Sequence, residues 1–211
     1  VTAIILRRLG SEENPEDVLG KIYLIEAEED ESPLRDAREF STLLNATGRM
    51  EKPSLGIGCC LGDKDSKNEA FKLLLEYKKE IINALNWFYN NRTKVIEEDG
   101  YVIVNAEDNI RDTMIGTLGS IISKSNVYNK GVIILTMANT IDGNIKVSLR
   151  AAGNSEIDLR DVVKQIVDIT SGISGGHKYA AGALISQQKE KEFIEGARRI
   201  LSKITIEEKI K

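Results

Sequence analysis

Ser171-Gly172-Ile173-Ser174-Gly175-Gly176-His177-Lys178-Tyr179-Ala180-Ala181-Gly182 contains the one histidine of this 211-residue chain. Glycine opens backbone conformations closed to other residues, and the small residues after His177 let backbone approach backbone. Successive N–H groups of a glycine-rich turn can converge on a phosphate, and a helix starting directly after the turn would add its positive end. An imidazole at the rim could donate a hydrogen bond to a phosphate oxygen. The competing reading is structural: Gly175 and Gly176 make a tight turn, Ala180 and Ala181 pack a helix closely, and His177 is a buried hydrogen-bonding residue.

Working outward, the apolar pattern alternates between helical and strand periods. Residues 159–170 read as an amphipathic helix carrying Val162, Val163, Ile166, Val167 and Ile169, while 183–186 read as a strand and 189–201 as a helix. Further upstream, 101–104 predict a strand, 110–123 a helix rich in small residues, and 132–135 a strand. Asp142-Gly143 then turns the chain back into 145–149. Strands alternating with helices, plus one hairpin, predict an α/β domain with a mixed β-sheet and flanking helices. Alternation through 145–150 places Lys146, Ser148 and Arg150 on one face, pointing away from the core. Arginine beside small residues suits bidentate phosphate contact; an ordinary surface arginine is the alternative.

The first half is helical. Residues 68–90 predict a long helix whose apolar face includes Phe71, Leu74, Leu75, Ile81, Ile82, Leu85 and Phe88. Ser32-Pro33 reads as a helix start, with Leu34, Ala37, Phe40, Leu43 and Leu44 following at helical spacing. Gly48 is expected to stop that helix, with Arg49 just beyond. Residues 53–62 form an apolar, glycine-bearing segment, 21–27 a short β-rich run, 26–31 a solvated acidic stretch, and 10–19 a polar connection. Residues 92–100 read as a linker. The expected organisation is a helical connecting region over 1–92 and a sheet domain over 93–211.

A net charge of −4 argues against a surface coated for nonspecific nucleic-acid binding, so any polyanion site must be local. Adjacent Cys59 and Cys60, with one histidine, cannot assemble the usual nitrogen and sulfur transition-metal site. No apolar run approaches membrane-spanning length, so no membrane partner and a cytoplasmic location are expected. The apolar start at Val1 suggests a piece of a longer chain.

Three motifs, in order, carry a family resemblance. Ser174–Gly182 resembles the GGHxxAAG signature of the DHH-associated domain of DHH-family phosphoesterases, and Val147-Ser148-Leu149-Arg150 resembles the serine/arginine motif preceding it. Leu43-Leu44-Asn45-Ala46-Thr47-Gly48-Arg49-Met50 resembles the Asn-Ala-x-Gly-Arg motif of RecJ-type single-strand-specific exonucleases. Together they look most like the C-terminal half of an archaeal RecJ-like protein. The resemblance implies that Arg49, Ser148, Arg150, Gly175, Gly176 and His177 hold phosphates of single-stranded DNA or RNA, with His177 near the scissile bond. It also implies Mn²⁺ or Mg²⁺ on an upstream domain, whose Asp-His-His motif is absent here, so this segment alone should bind no metal and should not hydrolyse. The alternative it implies is a non-catalytic replication or repair scaffold that binds the GINS complex, as archaeal relatives do.

Overall fold

The computed structural model describes residues 2–9, 20–153 and 155–210, with side chains omitted for Arg8 and from residue 205 on. The polar connection expected over 10–19 lies outside them. The chain divides into two compact units, Val1–Leu74 and Leu75–Lys211, and the long fourth helix runs across the division. Among the described residues, no helix is long and apolar enough to cross a membrane.

The first unit holds α1 (Thr2–Arg8), α2 (Ala37–Arg49), α3 (Pro53–Cys60) and the start of α4 (Lys64–Asn90). Its core is Leu34, Leu43, Cys59 and Ala70, with Phe40, Leu44, Leu55 and Phe71 packed against them. Ser32 does cap, but it caps a single 3-10 turn, Pro33–Arg35, accepting the Leu34 N–H at 3.2 Å. The Asp36 carboxylate then accepts the Arg38 N–H at 2.8 Å and starts α2. Gly48 does not end this helix. It lies inside α2, and the chain leaves the helical path at Glu51, with φ of 61°. The apolar segment 53–62 is mostly α3, its proline at the first helical positions, where a missing N–H does no harm. The run 21–27 forms no strand. Leu24 makes one bridge, to Asp36, and Ile22, Tyr23 and Leu24 stay exposed because no second strand lies beside them among the described residues.

Along α4 the buried residues are Ala70, Leu73, Leu74, Tyr77, Ala84 and Phe88, while Leu75 and Ile82 are exposed. The stripe is therefore rotated and narrower than the apolar pattern suggests, because two alanines complete it.

In the second unit a six-stranded mixed sheet has the order β1-β2-β3-β4-β6-β5. The strands are β1 (Ile96–Glu98), β2 (Tyr101–Asn105), β3 (Ile133–Asn139), β4 (Asn144–Ala151), β5 (Ile173–His177) and β6 (Ala180–Ser186). Of these strands only β2 and β3 pair in parallel, and α5 (Asp112–Lys124) makes the crossover between them. The 92–100 segment is therefore more than a linker: its middle pairs antiparallel with β2 as an edge strand. One sheet face buries Ile103, Leu135, Val147, Leu149, Ala183 and Ile185 beneath α6 (Leu159–Val167) and α7 (Glu190–Ile210). The opposite face buries Val104, Ile134 and Thr136, and there α5 lies over β3 and β4.

The glycine-rich stretch departs most from expectation. Residues 173–177 are a strand, no helix follows, and β6 begins at Ala180 rather than at 183. His177 is exposed, so the buried-histidine alternative fails as well. The small residues serve sheet pairing: a Cβ on Gly172 would stand 2.6 Å from the Leu184 carbonyl oxygen, and one on Gly182 would stand 2.8 Å from that of Val147.

Candidate functional site

Strand alternation and register decide what shares a surface. Arg150 pairs with Ala180 across β4 and β6, and Ala180 pairs with His177 across β6 and β5. One step along, Ser148 pairs with Gly182 and Gly182 with Gly175; two steps along, Lys146 pairs with Leu184 and Leu184 with Ile173. Directly opposed residues point to the same face, so Arg150, Ser148, Gly175 and His177 all lie on the face opposite the main core. Between the arginine and the histidine the floor is Ala180, Gly182 and Gly175, a lane almost without side chains. Two strand spacings separate their backbones by about 10 Å.

Gly176 is on the other side of the sheet and has a different task. Its φ is +137°, and a Cβ there would lie 2.5 Å from the Ala180 carbonyl oxygen and from Ala181 Cα. It lets the edge strand close onto its partner and faces away from the lane.

Arg150 is held in place. Its Nε donates to Ser120 Oγ at 3.0 Å, and Nη1 donates to Ser148 Oγ at 3.0 Å and to the Leu149 carbonyl at 2.7 Å. Ser148 is buried, so its hydroxyl props the guanidinium. Ser120 comes from α5, and α5 can lie close to the sheet because Gly119 faces Thr136, where a Cβ would sit 3.2 Å from Oγ1. Thr136 Oγ1 in turn donates to the Ile115 carbonyl of α5 at 3.0 Å. Sequence reasoning does not single out Ser120 and Gly119; the available signal is the Gly116-x-x-Gly119-Ser120 run inside a helix, where glycine needs a packing reason.

The hairpin tip that follows His177 is anchored too. The Leu159 N–H, at the start of α6, donates to the Lys178 carbonyl at 2.9 Å. The Lys178 ammonium donates to Glu156 at 3.2 Å, and that bond holds its pKa above the ordinary lysine value.

Such a surface can take a chain of anions. Guanidinium and imidazole stand on either side of a floor that a sugar-phosphate backbone could approach closely. Arg49 ends α2 in the first unit, half-buried. Among the described residues no group of three or more His, Cys, Asp or Glu could hold a metal ion. Those residues do not fit a two-metal centre, and they supply no step of metal chemistry.

Residues 99–203 match the DHHA1 domain family. An uncharacterized protein of Methanocaldococcus jannaschii, MJ0831, is 32% identical over 190 residues, a region covering 88% of this chain and 39% of that protein. The chain thus spans about two fifths of the curated relative's length. Among solved structures, RecJ from Thermus thermophilus in complex with Mn²⁺ superposes with a TM-score of 0.58 at 16% identity, covering 79% of this chain and 24% of that one. An exonuclease RecJ bound to manganese gives 0.59 at 15% identity, covering 79% and 40%. Residues 99–203 of this chain are a DHHA1 domain, and the fold is shared with the corresponding part of RecJ.

Proposed function

We propose that this chain is the substrate-holding part of a RecJ-like, metal-dependent phosphodiesterase that degrades single-stranded DNA or RNA, with domains parted near residues 92 and 93. Supporting this is the row Arg150, Ala180, His177, in which two phosphate-binding side chains flank a small-residue floor. Arg150 and Ser148 hold one phosphate, His177 donates to an oxygen at or next to the scissile bond, and Gly175 leaves the floor open. Gly176 contributes by shaping β5, a narrower role than direct phosphate contact. Arg49 adds a further phosphate contact from the first unit. Mn²⁺ or Mg²⁺ and the attacking water belong to residues outside this chain.

The test uses the full-length protein that contains this chain and a labelled single strand with Mn²⁺. Removing a charged-group donor that acts in the transition state lowers turnover by about a hundredfold or more, so His177→Ala should fall by that amount. Full activity of that variant overturns the reading. A scaffold that binds the GINS complex is the second reading, supported by the net charge of −4, which suits a protein partner better than bare nucleic acid. A pull-down that recovers no GINS counts against it.

A further inference from the structure

The lane does not stop at Arg150. Beyond the strand ends lies a cleft of about 590 Å³, walled by the end of α5, the chain leading into β3, the end of β4 and the β5–β6 hairpin tip. That volume is in the range of about 300–1,000 Å³ of sites that take small molecules, so a nucleotide fits it. Lys124, Lys130, Arg150 and Lys178 line it, and no Asp or Glu lies among its described lining residues. In a chain with 33 acidic and 29 basic residues, that segregation of charge is local.

Two details concern the lysines that line the cleft. Gly153, with φ of +63°, forms part of the wall, and a Cβ there would lie 2.8 Å from Lys130 Cγ. The lysine stem therefore lies in space that any other residue at 153 would fill. The Lys178 ammonium is paired with Glu156, which is 95% exposed, so water screens that bond and an incoming phosphate can replace it. At the rim Tyr179 is 68% exposed, its ring 5.5 Å from the Lys178 ammonium. An exposed ring beside cations is the chemistry that stacks a base while its phosphate is neutralised.

We propose that this cleft is a second nucleotide subsite, in which Lys124, Lys130 and Lys178 take the next phosphate of the same single strand and Tyr179 stacks its base. The inference rests on the function proposed above and extends its footprint by one nucleotide. Lys124 and Lys130 are exposed, so glutamine at both positions leaves the core untouched.

In the full-length protein, K124Q/K130Q should weaken binding of a ten-nucleotide strand. The slope of log affinity against log salt should shrink by roughly 0.7 for each phosphate that is no longer neutralised. A dinucleoside monophosphate, whose one phosphate is taken by Arg150 and His177, should bind the variant and the parent protein equally, and K124R/K130R should restore the slope. An unchanged slope, or equal weakening on both ligands, overturns the subsite. His177→Ala, measured alongside, separates the two readings: if it is inactive while K124Q/K130Q leaves the slope unchanged, only the cleft fails, and if it is fully active, the underlying function fails.

Discussion

Replacing each of the adjacent glycines Gly175 and Gly176 by alanine should give opposite results. At Gly176 a side chain meets two obstacles. The φ of +137° lies in a region nearly closed to L-residues, which costs roughly 1–3 kcal/mol, and a Cβ 2.5 Å from backbone atoms of Ala180 and Ala181 has nothing flexible to push aside. Overpacking against fixed atoms costs about another 1–3 kcal/mol, so Gly176→Ala should lose roughly 2–6 kcal/mol unless β5 unpairs. For a unit of this size that is a fall in melting temperature of about 4–24 °C. At Gly175 a Cβ meets nothing within 4 Å and no positive φ is required. Alanine there removes backbone freedom from the unfolded chain and should stabilise by about 0.4–1 kcal/mol. Because Gly175 faces the lane, that stable variant should nonetheless bind single strands more weakly. Thermal and urea unfolding of both variants, with strand binding by fluorescence anisotropy, reads all three effects. Equal stability of the two variants would refute the strand geometry, and undiminished binding by Gly175→Ala would refute the lane.

Ser120→Ala removes the acceptor for Arg150 Nε without touching any proposed substrate contact. Losing one such bond is worth about 1–1.5 kcal/mol, so kcat/KM in the full-length protein should drop roughly tenfold while the melting temperature hardly moves. Gly119→Leu forces α5 off Thr136, which is fully buried and cannot yield; it should destabilise by about 1–3 kcal/mol in urea unfolding and lower kcat/KM as well. Burial, followed by the nearby Glu97 carboxylate, raises the Tyr128 phenol well above its ordinary value of 10. The folded chain then keeps a proton that the unfolded chain releases, so stability is whole below that value and declines as pH rises past it. Urea midpoints at about pH 9 and 11 should differ less in Tyr128→Phe than in the parent protein, and an equal difference would exclude Tyr128 as the group responsible.

What can be read from the sequence follows side-chain contrast. The alternation of Ile145, Val147 and Leu149 with Lys146, Ser148 and Arg150 displays β4 and its two faces, and Asp142-Gly143 displays the turn before it. The edge strand at 96–98 is hidden because it is three residues long and mostly acidic, with one neighbour to pair with. Helix α4 is legible, but its buried stripe is not, because Ala70 and Ala84 pack as well as larger residues and carry little hydrophobic signal.

The candidate site is harder to read for a reason connected with its chemistry. Period-two alternation needs side chains that differ, and Gly175, Gly176, Ala180 and Gly182 supply almost none, so β5 and the start of β6 look like a turn leading to a helix. The motifs can name Arg150 and His177, but only register can place them in one row, because α6 and the length of β5 separate them in sequence and they meet only through β6. The missing side chains that conceal the strand are also what leave its outer face bare. A polymer backbone needs such a floor if both flanking groups are to reach it, and a valine or threonine at 175 or 182, which would have declared the strand, would also have filled the lane.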